Sequence, residues 1–191
     1  MEESDELWVE RALQDPNSYE ELVRRYQRRL YNLAYRLTGD GDEAQDLAQE
    51  ALVRAYTALP RFRQGERFSP WVYKIAVNLC INYLRRRKFQ VPLNEEAPFV
   101  DASLTPEQAL EKEETRAAVQ KAIMALPEQY RTVVLLRHQQ ELPYADIAET
   151  LGLPLGTVKT HLFRARAMLH KILSQEFSLR ASGIPKGGKK P

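Results

Sequence analysis

Helix-breaking residues are scarce along this chain. Glycine occurs 8 times in 191 residues, and its internal positions are Gly39, Gly41, Gly65, Gly152 and Gly156. The long stretches between them are rich in leucine, alanine, arginine, glutamate and glutamine, which favour helix. No segment alternates with the two-residue period of a strand, and no internal repeat stands out. The sequence therefore predicts an all-α fold.

Apolar residues recur at steps of three and four in the first half of the chain, as on amphipathic helices. One such helix begins at Tyr19 and stops at Gly39, and Asp42 is expected to cap the next. Pro60 ends that second helix, and residues 62–67 are expected to form a loop. A third helix opens at Ser69-Pro70 and ends at a basic run over 85–88.

The second half begins after a stretch with no helical period. Residues 89–104 contain Pro92, Pro98 and several acids, so we expect a flexible linker, whose residues reach roughly 55 Å when extended. Thr105 and Gln108 then match a capping box, and further helices follow, two of them split at Gly152. The predicted organisation is two small helical bundles, at 1–88 and 105–173, joined by the linker at 89–104 and followed by a disordered basic tail at 174–191.

Charge is unevenly spread although the net charge is only +2. Residues 61–90 and 156–191 each carry +7, whereas residues 1–60 carry −6 and residues 91–130 carry −5. The two basic blocks are either surfaces that meet a polyanion or solvated helix faces. Cys80 is the single cysteine, which excludes an internal disulfide and a multi-cysteine metal site. Neither a signal peptide nor an apolar run long enough to span a membrane is present, so we expect an intracellular protein with no membrane insertion.

The segment from Tyr144 to Leu169 has the pattern of a helix-turn-helix. Ile147 and Leu151 point inward from its first helix, Gly152 supplies the turn, and Val158 and Leu162 bury the second helix. This second helix exposes donors suited to phosphates and base edges in a major groove. They are Thr157, Lys159, Thr160, His161, Arg164 and Arg166.

Four motifs, two in each half of the chain, resemble those of one known family. Residues 131–169, with R-T-V-V-L-L-R and L-P-L-G-T-V-K-T-H-L-F-R-A-R, resemble the sigma-four domain of extracytoplasmic-function (ECF) RNA polymerase sigma factors of the sigma-70 family. The N-terminal half carries D-E-A-Q-D-L-A-Q-E-A-L-V-R-A-Y and F-S-P-W-V-Y-K-I-A-V-N-L-C-I-N-Y-L, which resemble its sigma-two domain. The resemblance covers residues 18–88 and 105–173 in the family's order. It implies a dissociable transcription initiation factor that joins core RNA polymerase and reads two promoter elements.

The resemblance also assigns roles to individual residues. The residues that fall on the family's motif for docking the clamp coiled coil of the largest polymerase subunit are Asp46, Gln49, Glu50 and Arg54. Those expected at the downstream (minus ten) element are Arg61, Arg63, Arg67, Phe68, Lys74, Asn78, Asn82, Arg85, Arg86 and Arg87. Asparagine can bond exposed base edges on a separated strand, and aromatic rings can stack on unpaired bases. Trp71 is either a core residue or one of those platforms.

At the upstream (minus thirty-five) element the resemblance implies contacts from the second helix-turn-helix helix and one supporting residue. They are Arg137, Thr157, Lys159, Thr160, His161, Phe163, Arg164 and Arg166. His161 stands where the family often has arginine, which departs from the pattern. Phe163 either touches a thymine methyl group or packs inward.

Other functions fit the sequence less well. A helix-turn-helix regulator of the response-regulator output type is the alternative, but a phosphoacceptor domain would need strands before the linker. An enzyme would need a catalytic constellation, and we find no catalytic, cofactor-binding or metal-binding motif and expect no small-molecule substrate. The expected partners are core RNA polymerase, promoter DNA and an anti-sigma factor, in the bacterial cytoplasm.

Overall fold

The computed structural model describes residues 3–63, 65–87, 115 and 117–181. Every regular element in these residues is helical, which confirms the predicted all-α class. The α-helices are α1 (Asp5–Gln14), α2 (Tyr19–Thr38), α3 (Gly41–Ala58), α4 (Phe68–Arg87), α5 (117–124), α6 (Glu128–His138), α7 (Tyr144–Leu151) and α8 (Leu155–Ala181), with short 3-10 turns at Pro16–Ser18 and Leu59–Arg61. None of these helices is long and apolar enough to cross a membrane.

Helices α2, α3 and α4 form the core of the first half, and α2 packs along α3. The α2 stripe of large apolar residues is fully buried, including Leu22, Leu30 and Leu33. It faces small residues on α3, which allow the helix backbones to approach closely. These are Ala44, Ala48, Ala51 and Ala55. Burying one leucine side chain contributes roughly 1.5–3 kcal/mol, so this interface stabilises the first half strongly.

The residue that caps α3 lies two positions before the one predicted from the sequence. Gly39 adopts the left-handed conformation, with φ of 73°, and ends α2. The chain then extends at Asp40, whose carboxylate accepts a hydrogen bond from the backbone N–H of Glu43 at 3.2 Å. Asp40 is therefore the cap, and Asp42 lies in the first turn of α3, where a negative charge favours the helix dipole.

Helix α1 is an element that sequence analysis did not identify. Ser4 caps it, and only Val9 and Ala12 are buried on its inner face. Polar contacts to α2 add to this short stripe, because the hydroxyl of Tyr26 and the guanidinium of Arg25 both donate to the carboxylate of Asp5. A stripe of two small apolar residues is too weak a periodic signal to distinguish from an acidic, solvated terminus.

Helices α6, α7 and α8 form the second half, with α6 packed along α8. Gly152 ends α7 in the left-handed conformation, with φ of 62°, and α8 follows after two residues. This is the predicted helix-turn-helix. Helix α8 continues to Ala181, eight residues beyond the predicted end of the second bundle at 173, because no glycine or proline interrupts it before Gly183. The predicted linker and residues 182–191 of the tail lie outside the described residues.

The two halves pack against each other. Helix α4 contacts α7, helix α2 contacts α6, and one cluster of buried apolar residues includes members from both halves. Arg131 on α6 joins them at one end, since its guanidinium donates to the carbonyl oxygen of Leu37 at 2.7 Å. Gly39 lies against Met124 at the same place, where an added Cβ would come within 2.9 Å of the methionine methyl group.

Candidate polymerase and nucleic-acid interfaces

The outer face of α3 carries the four residues predicted to bind polymerase. Asp46, Gln49, Glu50 and Arg54 are all exposed, on the side opposite the buried alanine stripe. Glu50 and Arg54 form an ion pair of 2.6 Å one helical turn apart. The face is thus largely polar, and Asp46 forms no ion pair with any other residue that the structure describes.

Sequence analysis missed an apolar residue at the centre of this face. The Val53 side chain is 60% exposed, and it lies three residues from Glu50 and beside Arg54. Tyr56 is also partly exposed, and its ring lies 5.0 Å from that of Tyr19. The signal was available, because Val53 is out of phase with the alanine stripe and cannot point inward. Val53 therefore adds exposed apolar area to a face that is otherwise polar.

Helix α4 presents the predicted asparagine stripe to solvent. Lys74, Asn78 and Asn82 are exposed at steps of four residues, and the opposite side of the helix is buried. The buried side includes Cys80, where burial raises the pKa of the thiol to about 12. Arg85 and Arg86 are exposed at the end of the helix, whereas Arg87 is half-buried and lies 3.8 Å from the carboxylate of Asp40.

The arginines before α4 have different surroundings. Arg61 is exposed, and Arg63 is exposed with a guanidinium nitrogen 3.9 Å from the carboxylate of Glu66. Arg67 instead donates a hydrogen bond to the carboxylate of Asp146 on α7. All three predicted arginines are therefore exposed, but the guanidinium of Arg67 is bonded to the second half of the molecule.

Phe68 is not a surface residue, which corrects its predicted place among the DNA contacts. It is fully buried, and its ring packs edge-to-face on Tyr26 at a centroid distance of 5.3 Å. Trp71 is half-buried and packs against Phe62 and Phe68, at centroid distances of 5.1 and 5.7 Å. Phe68 is the first residue of α4 and fills the end of the core. The spacing of apolar residues in the sequence did not indicate this buried position.

Helix α8 exposes most of the predicted upstream-element set on one side. Lys159, Thr160, Phe163, Arg164 and Arg166 are exposed. The opposite side of the helix is buried through Val158, Leu162 and Ala165. Phe163 is 76% exposed, which decides against the inward orientation left open by the sequence. The exposed side combines three cations with one aromatic ring.

His161 and Thr157 are half-buried at the edge of this surface. The His161 ring packs edge-to-face against Tyr130 on α6, with a centroid distance of 5.3 Å, and its buried Nδ1 has no hydrogen-bond partner among the described residues. Arg164 donates to the Tyr130 hydroxyl at 3.5 Å, and this bond lowers the pKa of the phenol. Tyr130 therefore supports two residues of the surface.

Arg137, which is predicted to support the upstream-element contact, is half-buried and makes two contacts within the second half. Its guanidinium donates to the carbonyl oxygen of Leu142 at 3.0 Å and lies 5.1 Å from the ring centroid of Tyr144. Both contacts fix the turn between α6 and α7, where Glu141 has a positive φ of 56°. His138 lies nearby, and burial lowers its pKa, as do Arg166 and Arg137. Arg137 therefore stabilises the turn that leads into the helix-turn-helix.

Comparison with known proteins identifies the family. The family model for Sigma-70 region 2 matches residues 22–90, and that for Sigma-70, region 4 matches residues 116–169. The chain is 37% identical over 169 residues to the ECF RNA polymerase sigma factor SigW of Bacillus subtilis, covering 83% of this chain and 90% of that protein. It is 38% identical over 183 residues to the RNA polymerase sigma-H factor of Pseudomonas aeruginosa, covering 90% and 95%.

Solved structures share the fold. CnrH in complex with the cytosolic domain of CnrY superposes with a TM-score of 0.71 and 22% identity, covering 91% of this chain and 99% of that one. The sigma factor RpoE of Bartonella quintana, in complex with the anti-sigma factor NepR, has a TM-score of 0.69 and 22% identity, covering 82% and 96%. A region 2 match and a strand-free described N-terminal half do not favour the response-regulator alternative. The chain belongs to the ECF sigma factors of the sigma-70 family, which are promoter-directing transcription initiation factors.

Proposed function

We propose that three helical faces divide the work of this sigma factor. The outer face of α3 binds core RNA polymerase, the exposed stripe of α4 with the preceding arginines reads the downstream element, and the exposed side of α8 reads the upstream element. One observation carries the proposal: each predicted polar set lies on the solvent side of a helix whose other side is buried. Phe68 and Arg137 are left out of the DNA-binding surfaces, because the first is buried and the second fixes a turn.

The polymerase-binding face combines charge with a central apolar contact. Asp46, Gln49 and Glu50 supply hydrogen-bonding groups, and Val53 supplies apolar area that would be desolvated on binding. The Glu50–Arg54 pair is exposed and contributes little to stability, so its residues are available to a partner at small cost.

Asn78 and Asn82 are proposed to read unpaired bases. An amide group can donate to and accept from a base edge, and such edges become accessible when the strands separate. Lys74, one turn before, and Arg85 and Arg86, at the end of α4, would hold the strand through its phosphates.

The solved relatives CnrH and RpoE are each held by a protein partner, for RpoE an anti-sigma factor. We infer that this chain also binds an anti-sigma factor. We further infer that it acts in the cytoplasm, where RNA polymerase acts.

Replacing Asn78 and Asn82 by alanine tests the downstream assignment. We expect binding to a single-stranded downstream-element oligonucleotide to weaken by roughly 1–3 kcal/mol per lost base contact, while duplex binding through the upstream element stays unchanged. Run-off transcription with purified core polymerase should fall on both duplex and pre-melted promoters, and core alone should give no promoter-specific product.

Gln27→Ala, which truncates an exposed amide on α2, serves as the matched control and should behave as wild type. Co-purification with core polymerase should be normal for both variants. The assignment is wrong if the double variant folds, binds polymerase and retains full strand selectivity.

A further inference from the structure

Helix α1 lies against the segment that precedes α4. The turn at Leu59–Arg61 and helix α4 both contact α1, and they flank the loop of the surface proposed for the downstream element. Arg61 and Arg63 are exposed there, and Gly65 has a positive φ of 89°, a conformation that suits glycine. A short loop that contains glycine has little structure of its own, so its shape depends on how its two ends are held.

A carboxylate from α1 holds the end of the loop. Phe68 is the first residue of α4, and the first N–H groups of a helix have no acceptor within that helix. The half-buried Glu6 accepts a hydrogen bond from the backbone N–H of Phe68 at 3.4 Å. The first turn of α4 contains no acidic residue, so Glu6 supplies from another helix the negative charge that favours a helix N-terminus.

Backbone and apolar contacts hold the start of the loop. The N–H of Phe62 donates to the carbonyl oxygen of Leu59 at 3.0 Å, and the Leu59 side chain is buried. The Phe62 ring lies 6.1 Å from that of Phe68, so the residues on both sides of the loop meet. The exposed Arg63 therefore lies between two anchored points.

Helix α1 is itself fixed on α2. The guanidinium of Arg25 donates to the carboxylate of Asp5 at 3.0 Å, and the hydroxyl of Tyr26 donates to the same carboxylate. The Tyr26 ring also packs edge-to-face on Phe68. Adjacent carboxylates of α1, those of Asp5 and Glu6, thus bind α2 and the start of α4.

We propose that α1 braces the loop that reads the downstream element, and that Glu6 is a positioning residue for this recognition. Glu6 touches no base. It acts through Phe68, by fixing where α4 begins and so where Arg61 and Arg63 project. A loop held in its binding conformation loses less conformational entropy when it meets a strand. The inference rests on the proposed function, because the brace serves recognition only if this surface reads DNA.

Glu6→Ala removes the acceptor, and the expected effect on binding is opposite to that of charge alone. Loss of a carboxylate near a polyanion should strengthen binding to any strand, whereas loss of the brace should weaken binding to the correct one. We expect holoenzyme with Glu6→Ala to discriminate the downstream-element strand from a scrambled strand about two- to tenfold less well than wild type, the range for one hydrogen bond. Fluorescence titration of single-stranded oligonucleotides, taken from a promoter that the wild-type holoenzyme transcribes, measures both affinities.

Two further variants separate the hydrogen bond from the charge. Glu6→Gln keeps an acceptor oxygen and should discriminate within about twofold of wild type. Glu10→Ala removes the same charge from an exposed position on the same helix and should discriminate as wild type does. The proposal is overturned if Glu6→Ala discriminates as well as wild type, or if Glu6→Gln loses as much discrimination as Glu6→Ala.

Hydrogen exchange in the free, full-length protein tests the brace without DNA. The Phe68 amide and its neighbours in the loop should exchange about two- to tenfold faster in Glu6→Ala than in wild type or Glu10→Ala, while the amides of α6 and α8 keep their protection. Unchanged exchange at Phe68, or a loss of protection throughout the protein, would contradict the brace. A wild-type holoenzyme that does not discriminate the two strands would instead contradict the proposed function, and the exchange rates would still decide whether Glu6 holds the loop.

Discussion

Phe68 and Phe163 lie at opposite extremes of burial, 0% and 76% exposed. Phe68 fills the core at the start of α4 against Tyr26, Phe62 and Trp71. Phe163 touches little of the protein and is held out on α8. The same side chain therefore has a stability role at one position and, in our proposal, a recognition role at the other.

Alanine at each position should separate these roles. Phe68→Ala should lower the free energy of unfolding by about 3–5 kcal/mol, the usual cost of emptying a buried aromatic site. Phe163→Ala should change it by less than about 0.5 kcal/mol but weaken upstream-element binding, most at a position with a thymine methyl group. Chemical denaturation and duplex binding measure the two effects. A stable Phe163→Ala variant with unchanged binding to every tested duplex would remove this residue from the recognition surface.

At the scale of elements, α8 can present a recognition surface because one of its sides packs against the second half and the other faces solvent. Val158 and Leu162 fix its rotation against the rest of the second half, so Lys159 and Arg164 must face solvent. Arg164 is additionally oriented by the hydroxyl of Tyr130, whereas the Lys159 ammonium forms no hydrogen bond or ion pair with the described residues. A flexible ammonium suits phosphate, and a held guanidinium suits a base edge.

Lys159→Ala and Arg164→Ala should therefore differ. Loss of Lys159 should weaken binding evenly across sequences and flatten the salt dependence by about one unit. Loss of Arg164 should cost roughly 1–3 kcal/mol and relax the preference at one base pair. Titrations of wild-type and substituted upstream-element duplexes at several salt concentrations distinguish the two patterns. If both variants bind like wild type at every salt concentration, α8 is not the recognition helix.

For the whole molecule, Arg131 is one of the residues that link the two halves by hydrogen bonds. Its guanidinium donates to the carbonyl oxygens of Leu37, Met124 and Leu126, at 2.7, 2.6 and 3.1 Å. Burial lowers the pKa of this guanidinium, while Glu128 opposes that shift. One residue thereby satisfies carbonyl groups from the end of α2 and from the connection before α6.

Arg131→Ala should reduce the free energy of unfolding by about 2–4 kcal/mol, because it leaves buried carbonyl groups without donors and removes a packed stem. Lys121→Ala, at an exposed cationic position on α5, should change it by less than about 0.5 kcal/mol. Urea unfolding followed by circular dichroism compares the two. A similar, small effect of both would mean that water replaces the Arg131 bonds at no net cost.

Interactions between residues close together in the sequence determined the fold class and many of the exposed surfaces of this protein. Periodicity, caps and breakers are properties of neighbouring residues, so the all-α class, the helix-turn-helix around Gly152 and the exposed stripes of α3, α4 and α8 follow from the order of side chains. Only the tertiary structure decided that Phe68 is core, that Arg137 fixes a turn and that Arg67 meets Asp146. Arg67 and Asp146 are separated by 79 positions, and no periodic signal connects residues so far apart. Such pairs depend on how finished helices pack, which is set by the fit of whole surfaces rather than by local spacing.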